Sequence, residues 1–190
     1  MSENQKKKNK IYQMMECSIF AAILCILAPI TIPIGPVPIT LGVFAVMLTA
    51  IVLGLRQGVI SVGIYILLGF VGLPVYSGGQ SGPGILVGPT GGYIWSFLLM
   101  ALIIGGVAQK LNTQKRKKEL VLIGACIGSL MICYLCGTFQ FTLVTKYTFV
   151  NALAICVFPF IPLDLAKAVV ATFLGLEIKK RLNLAGFAKK

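Results

Sequence analysis

Two ionisable residues, Asp164 and Lys167, lie one helical turn apart in an otherwise apolar stretch, residues 158–171. A carboxylate accepts hydrogen bonds and an ammonium group donates them, so the pair could bind a polar ligand, an ion or a proton. Ionisable residues within membrane-like sequence are costly, which makes them candidates for a functional site. The alternative interpretation is a structural ion pair that only fastens the last helix.

Two prolines predict where this pair lies on its helix. Pro159 and Pro162 interrupt what precedes them and favour a helix start near Leu163. Asp164 then lies in the first turn, where the positive end of the helix dipole stabilises it, and Lys167 faces the same side. We therefore predict that both side chains point into a pocket at the N-terminal end of the helix.

The composition is that of a membrane protein, since 57% of the 190 residues are hydrophobic and only 12% are charged. A membrane span needs about 20 helical residues. Residues 41–72 would form a helix about 48 Å long at about 1.5 Å per residue, which is too long for one span. We therefore expect a hairpin turn at Gly54–Gly58. The prediction is one all-α membrane domain over residues 1–190, with six transmembrane helices at about 12–28, 40–55, 57–72, 91–110, 119–144 and 163–182.

The net charge of +12 is distributed in blocks and does not indicate a nucleic-acid partner. All of the 17 basic residues except Lys146 and Lys167 lie before the first helix, at Arg56, in residues 110–118 or in residues 179–190. These blocks fall on one side of a six-helix topology, so the positive-inside rule places both termini in the cytoplasm. No small-x-small cleavage site precedes Pro29, so the first helix is expected to be retained in the lipid bilayer rather than removed as a signal peptide.

The outer loops, predicted at 29–39, 73–90 and 145–162, are rich in glycine and proline. Irregular backbone at membrane depth is tolerated where it is buried or lines a cavity, which favours lids over a site; simple connectors are the alternative. A nucleotide loop is excluded at Gly82-x-Gly84, because Pro83 interrupts it and no lysine is present for phosphates. Neutral hydrogen-bonding groups make five further residues candidate substrate contacts, namely Thr40, Gln80, Ser81, Thr90 and Tyr93.

Cysteines provide no clear metal or catalytic motif. Cys133 and Cys136 have CxxC spacing, but the chain has no histidine and no second CxxC, so neither a zinc nor a redox site is expected. No serine or cysteine lies beside a plausible base. We therefore predict no metal, no cofactor and no enzymatic activity.

The first helix carries small residues at four-residue spacing, a pattern that lets a second helix approach closely. This ridge either packs within the chain or docks a partner subunit. Its members are Cys17, Ser18, Ala21, Ala22 and Cys25.

Four segments together resemble the BioY family, the biotin-binding S components of energy-coupling factor (ECF) transporters. They are Pro36-Val-Pro-Ile-Thr-Leu, Gly69-Phe-Val-Gly-Leu-Pro-Val-Tyr, Gly78-Gly-Gln-Ser-Gly with Gly88-Pro-Thr-Gly-Gly-Tyr, and Pro159-x-x-Pro-x-Asp-x-x-Lys-Ala. The resemblance covers essentially the whole chain. It implies a six-helix S-component fold in a prokaryotic cell membrane, with an outward-facing pocket under the outer loops. It also implies two kinds of partner on other chains, a transmembrane coupling subunit and a pair of ATPase subunits.

The resemblance also implies roles for individual residues. Asp164 and Lys167 match the family's polar ligand-contact motif, and Tyr93 follows its double glycine, whereas Gln80 stands where asparagine is expected in some members. On this interpretation Asp164 accepts from a ureido N–H of biotin and Lys167 donates to the ureido carbonyl or the carboxylate. Three residues, Val75, Tyr76 and Leu86, are expected to cover the rings, and the ridge of the first helix is expected to dock the coupling subunit.

Three alternatives stay open from the residues alone. An S component for another vitamin, such as thiamine or riboflavin, would share the fold, although a cationic substrate does not favour an outer lysine. A solitary ion-coupled carrier would use Asp164 as its titrating group. A purely structural membrane protein would bind no vitamin.

Overall fold

The computed structural model describes residues 3–34, 37–111 and 117–184. Within these ranges the chain forms seven α-helices and one pair of short strands: α1 Glu3–Leu27, β1 Thr31–Ile32, β2 Ile39–Thr40, α2 Gly42–Val71, α3 Pro83–Val87, α4 Gly91–Lys110, α5 Lys118–Thr145, α6 Phe149–Cys156 and α7 Ile161–Leu184. Some residues used in the predictions lie outside the described residues, namely Pro36, Lys115, Arg116, Lys189, Lys190 and the side chains of Lys6, Lys7 and Lys8.

The helix α2 reverses direction at Gly54, which has φ 77° and ψ −166°. Val43 before this residue and Tyr65 after it line the same cavity, although a straight helix would separate them by about 33 Å. Gly105 of α4 packs on the reversal, where a Cβ would lie 2.8 Å from the carbonyl carbon of Gly54. The predicted hairpin therefore turns at the first glycine of Gly54–Gly58.

The described residues contain four helices long and apolar enough to cross a membrane, α1, α2, α4 and α5. A fifth span results if α6 and α7, which are bent by 53° at a short break, are taken together. The prediction of six spans counts the parts of α2 before and after Gly54 as two helices, whereas the four or five spans above include α2 once. Large apolar side chains such as Ile26, Leu135, Phe139 and Phe173 are exposed on the helix surfaces, as expected for a multi-pass membrane protein.

The core is centred on α2, which packs against α1, α4 and α7, while α4 also packs against α5. Above this bundle, the predicted outer loops contain short elements that the sequence did not indicate. In the first loop, β1 pairs antiparallel with β2 and brings Thr31 opposite Thr40. The hydroxyl of Thr40 donates to the Ala28 carbonyl at 2.7 Å and accepts from the Gly42 N–H at 2.9 Å. These bonds join the end of α1 to the start of α2.

The other two outer loops also have regular structure. The second contains a 3-10 turn at Ser77–Gly79 and the helix α3, and the third contains α6. After α6, the helix α7 begins at Ile161, two residues before the predicted start. Its Asp164 N–H donates to the Phe160 carbonyl at 2.9 Å, which places Asp164 in the first turn as predicted.

Candidate ligand-binding site

A cavity lies between the outer loops and the helices α2, α4, α5 and α7. Its volume is about 50 Å³. Its wall is mostly apolar and is formed by Val37, Pro38, Thr40, Val43, Tyr65, Ser77, Ile85, Thr90, Tyr93, Ile94, Phe97, Cys133, Tyr134, Cys156, Phe160 and Asp164. This lining suits a small ligand with an apolar body and a few polar groups.

Asp164 is the one ionisable carboxylate among the described residues that line this cavity, and it is only 3% exposed. Its two oxygens have separate partners. The Tyr134 hydroxyl on α5 donates to Oδ2 at 2.8 Å, and the Lys167 ammonium donates to Oδ1 at 2.7 Å. A buried carboxylate without such partners would be strongly unfavourable, so these two bonds compensate for the burial of Asp164 beside the cavity.

Lys167 connects this carboxylate to the first outer loop. Its ammonium group also donates to the backbone carbonyl of Thr40 at 2.9 Å, and its side chain is 13% exposed. Lys167 itself does not line the cavity, whereas Asp164 and Thr40 do. The two residues of the predicted pair therefore differ in position. Asp164 faces the cavity, whereas Lys167 lies outside the cavity wall and binds Asp164.

Of the other predicted ligand contacts, some line the cavity and others do not. Thr90 and Tyr93 line the cavity, and the Tyr93 hydroxyl donates to the Cys156 carbonyl at 3.4 Å. Thr40 lines it too, but its hydroxyl is used in joining α1 to α2. Gln80 is exposed and Ser81 is half-buried, and neither belongs to the cavity wall.

The expected apolar cover of Val75, Tyr76 and Leu86 is buried but lies outside the cavity wall. Tyr76 packs against Gly69 and donates its hydroxyl to the Ile66 carbonyl at 2.7 Å. Burial raises the pKa of Tyr76, so the phenol keeps the proton that it donates. The apolar wall is instead formed mainly by Tyr65, Ile94, Phe97 and Phe160.

Sequence reasoning missed Tyr134, the second partner of Asp164. Tyr134 lies between Cys133 and Cys136, the pair considered for a metal or redox site. Cys133 lines the cavity next to it and accepts from the Ser96 hydroxyl at 2.9 Å. A phenol in the middle of an apolar span was the available signal, because a buried tyrosine hydroxyl usually has a partner.

The small-residue ridge of α1 is divided between two faces. Cys17 and Ala21 are buried, Cys25 is partly buried, and the Cys17 thiol donates to the Gln57 carbonyl at 3.6 Å. Ser18 and Ala22 are exposed on the other side of the helix. The ridge thus packs within the chain through one face and leaves a narrower small-residue face open.

Side chains on α4 and α5 fasten the second outer loop beside the cavity. The Gln140 amide donates to the carbonyls of Leu86 and Gly88 at 2.9 and 2.8 Å, and the Trp95 indole donates to Leu86 at 3.3 Å. These carbonyls lie at the end of α3, where helical partners are missing. The bonds therefore hold α3 against the bundle.

Comparison with known proteins shows which family the chain belongs to. The family model of the BioY family matches residues 2–184. The chain belongs to the BioY family. Among its relatives, a protein of Thermotoga maritima named biotin transporter BioY is 39% identical over 88% of this chain and 96% of that protein. Biotin transporter BioY2 of Lactococcus lactis is 36% identical over 93% and 95% of the two chains.

A solved structure shares the architecture of this chain. It is described as the S-component for biotin from an ECF-type ABC transporter, and it matches with a TM-score of 0.83, 29% identity and 95% coverage of both chains. The predicted S-component fold is therefore confirmed. The cavity described above lies in a fold that this chain shares with an S-component for biotin.

Proposed function

We propose that this protein is the biotin-binding S component of an ATP-driven ECF importer. The observation that carries the proposal is the cavity itself, an apolar chamber with one buried carboxylate at its wall. Biotin combines a ureido ring with N–H donors, an apolar thioether ring and methylene chain, and one carboxylate. The relatives' names support this choice over thiamine or riboflavin.

In this proposal Asp164 contacts the ligand directly and accepts from a ureido N–H. Tyr134 and Lys167 bind its two oxygens, so the carboxylate is oriented before the ligand arrives. Such orientation lowers the free-energy cost of binding. Lys167 acts mainly on Asp164 and on Thr40 of the first loop, in contrast to the direct biotin contact expected from sequence. Tyr65, Phe97 and Phe160 cover the apolar part of the ligand.

A vitamin screen on the detergent-solubilised protein tests the substrate. Biotin is expected to raise the thermal midpoint and to give a saturable calorimetric isotherm with one site per chain. Thiamine and riboflavin serve as matched controls and are expected to give neither. If biotin leaves the midpoint unchanged while another vitamin raises it, the biotin assignment is wrong and the S component serves that vitamin.

We propose further that the partners are a transmembrane coupling subunit and a pair of ATPase subunits, and that both termini lie in the cytoplasm of a prokaryotic cell. Lys179 near the end of α7 donates to the carbonyls of Ile51 and Ala108, which brings the ends of α7 and α4 close to the Gly54 reversal. Three described basic residues lie at this end of the bundle: Arg56 just after the Gly54 reversal, Lys110 at the end of α4 and Lys118 at the start of α5. Their clustering on one side supports the proposed orientation.

The coupling subunit is proposed to dock on the open face of α1, around Ser18 and Ala22. Bulky substitution there, as in Ala22→Trp, is expected to reduce ATP-dependent biotin uptake by the assembled transporter while biotin binding stays at the parent's level. Ala21→Ser, a small change on the buried face, is the matched control. Uptake by Ala22→Trp equal to that of the parent would exclude this face as the docking site.

A further inference from the structure

Ser77, in the 3-10 turn of the second outer loop, has an unusual hydroxyl. The oxygen is buried, and it has no hydrogen-bond partner among the described residues. Ser77 also lines the ligand cavity. Buried hydroxyls are normally hydrogen-bonded, so each exception calls for an explanation.

The backbone around Ser77 is held in place independently of its side chain. The Tyr76 N–H donates to the Gln80 carbonyl and the Gly79 N–H donates to the Tyr76 carbonyl, both at 2.9 Å. Tyr76 itself is anchored to α2 through Ile66. Backbone hydrogen bonds therefore form this turn, and the unpaired Ser77 hydroxyl does not contribute to it.

We propose that the Ser77 hydroxyl donates a hydrogen bond to an oxygen of the bound ligand. The inference rests on the proposed biotin-binding function of the same cavity. Biotin has two suitable acceptors, its carboxylate and its ureido carbonyl, and binding would satisfy a hydroxyl that the protein leaves unpaired. The serine of this loop that contacts the ligand is then Ser77, whereas the sequence analysis predicted Ser81.

Two other serine and threonine residues provide controls. Ser81 is in the same loop but outside the cavity wall. Thr49 of α2 has a buried hydroxyl that, like that of Ser77, lacks a partner among the described residues, but it does not line the cavity. Thr49→Val therefore tests the loss of an unpaired hydroxyl alone, and Ser81→Ala tests the loss of a loop hydroxyl alone.

The experiment measures the thermal midpoint of each ligand-free variant and its affinity for biotin by calorimetry. Ser77→Ala is expected to melt at or above the parent's midpoint, because removing an unpaired buried hydroxyl costs little, and to bind biotin about tenfold more weakly. Thr49→Val and Ser81→Ala are expected to bind like the parent. A purely structural serine would instead lower the midpoint and leave the affinity unchanged.

A biotin analogue in which a methyl group replaces the carboxylate identifies the acceptor oxygen. If the carboxylate accepts, Ser77→Ala and the parent bind this analogue equally; if the ureido carbonyl accepts, the tenfold difference persists. Affinity of Ser77→Ala for biotin within twofold of the parent's overturns the inference and leaves the proposed function intact. A parent that binds no biotin overturns the proposed function, and the Ser77 comparison is then made with thiamine and riboflavin as ligands.

Discussion

Two lysines of α7 make similar contacts at opposite ends of the helix. Lys167 donates to the Thr40 carbonyl at the start of α2, and Lys179 donates to the Ile51 carbonyl just before the Gly54 reversal. The helix α7 is thus tied to the first arm of α2 at two points, about 18 Å apart along its axis. The ends differ in what else each lysine binds: Lys167 pairs with Asp164, whereas Lys179 also donates to the Ala108 carbonyl of α4.

This difference shows that a partly buried ammonium group can have two roles in one helix. At the Lys179 end, the cation compensates carbonyls at the ends of helices, where negative partial charge accumulates. At the Lys167 end, the same kind of bond also orients a carboxylate that faces the cavity. Binding chemistry is therefore expected to depend on one end of α7, and helix packing on both.

The largest expected effect is at Asp164. Asp164→Asn keeps the size of the side chain but removes the charge, leaving Lys167 partly buried beside a neutral amide. Removing one partner of a buried charge-assisted contact with a ligand costs about 2–5 kcal/mol of binding, so biotin affinity in calorimetry is expected to fall about a hundredfold or more. Parent-like affinity in this variant would contradict the direct contact.

A double variant separates ligand binding from fold stability. Asp164→Asn with Lys167→Met removes both charges, so the ligand-free thermal midpoint is expected to recover relative to the single Asp164→Asn variant. Biotin affinity is expected to stay low, because the acceptor carboxylate is still absent. Recovery of both properties together would mean that the pair matters only for structure.

Lys167→Met is expected to have the next largest effect. The substitution keeps the length of the side chain but leaves the Asp164 carboxylate with Tyr134 alone and releases the Thr40 carbonyl. We expect biotin affinity to fall by about 2–3 kcal/mol, or roughly 30- to 150-fold, since hydrogen bonds to charged groups contribute at about this level. A loss of thermal stability with unchanged affinity would make Lys167 equivalent to Lys179.

A smaller loss is expected for Tyr134→Phe, which removes one hydrogen bond to the carboxylate and little volume. Calorimetry is expected to show about 1.5 kcal/mol weaker biotin binding, or roughly tenfold. Tyr147→Phe is a suitable control, because Tyr147 packs against Phe141 outside the cavity wall and is exposed. If both variants bind like the parent, the Tyr134 hydroxyl does not orient Asp164 in the bound state.

Tyr134 also illustrates what the sequence could and could not predict. The apolar spans, the start of α7 and the Asp164–Lys167 pair follow from local patterns, because hydrophobicity, proline and i+3 spacing act within a few residues. The contact between Tyr134 and Asp164 joins residues 30 positions apart, and it depends on how α5 and α7 pack. No local pattern carries that information.

The second outer loop shows the same limit at shorter range. Its glycines and prolines led to the expectation of a lid over the site, but they revealed neither the helix α3 nor which side chains turn inward. Ser77 faces the cavity and Gln80 is exposed because the turn at Ser77–Gly79 is oriented by Tyr76, whose ring packs on Gly69 of α2. The direction of each polar side chain thus depends on a distant anchor.

The smallest effect on binding is expected at the other end of α7, in Lys179→Met. The side chain would lose its bonds to the Ile51 and Ala108 carbonyls, and water could replace part of them because Lys179 is only partly buried. We expect a lower thermal midpoint, equivalent to about 1 kcal/mol, and biotin affinity within about threefold of the parent's. Lys180→Met, at an exposed neighbouring position, controls for the loss of charge. A large loss of affinity in Lys179→Met would show that the two ends of α7 are coupled, because a change in packing at Lys179 would then alter the position of Asp164.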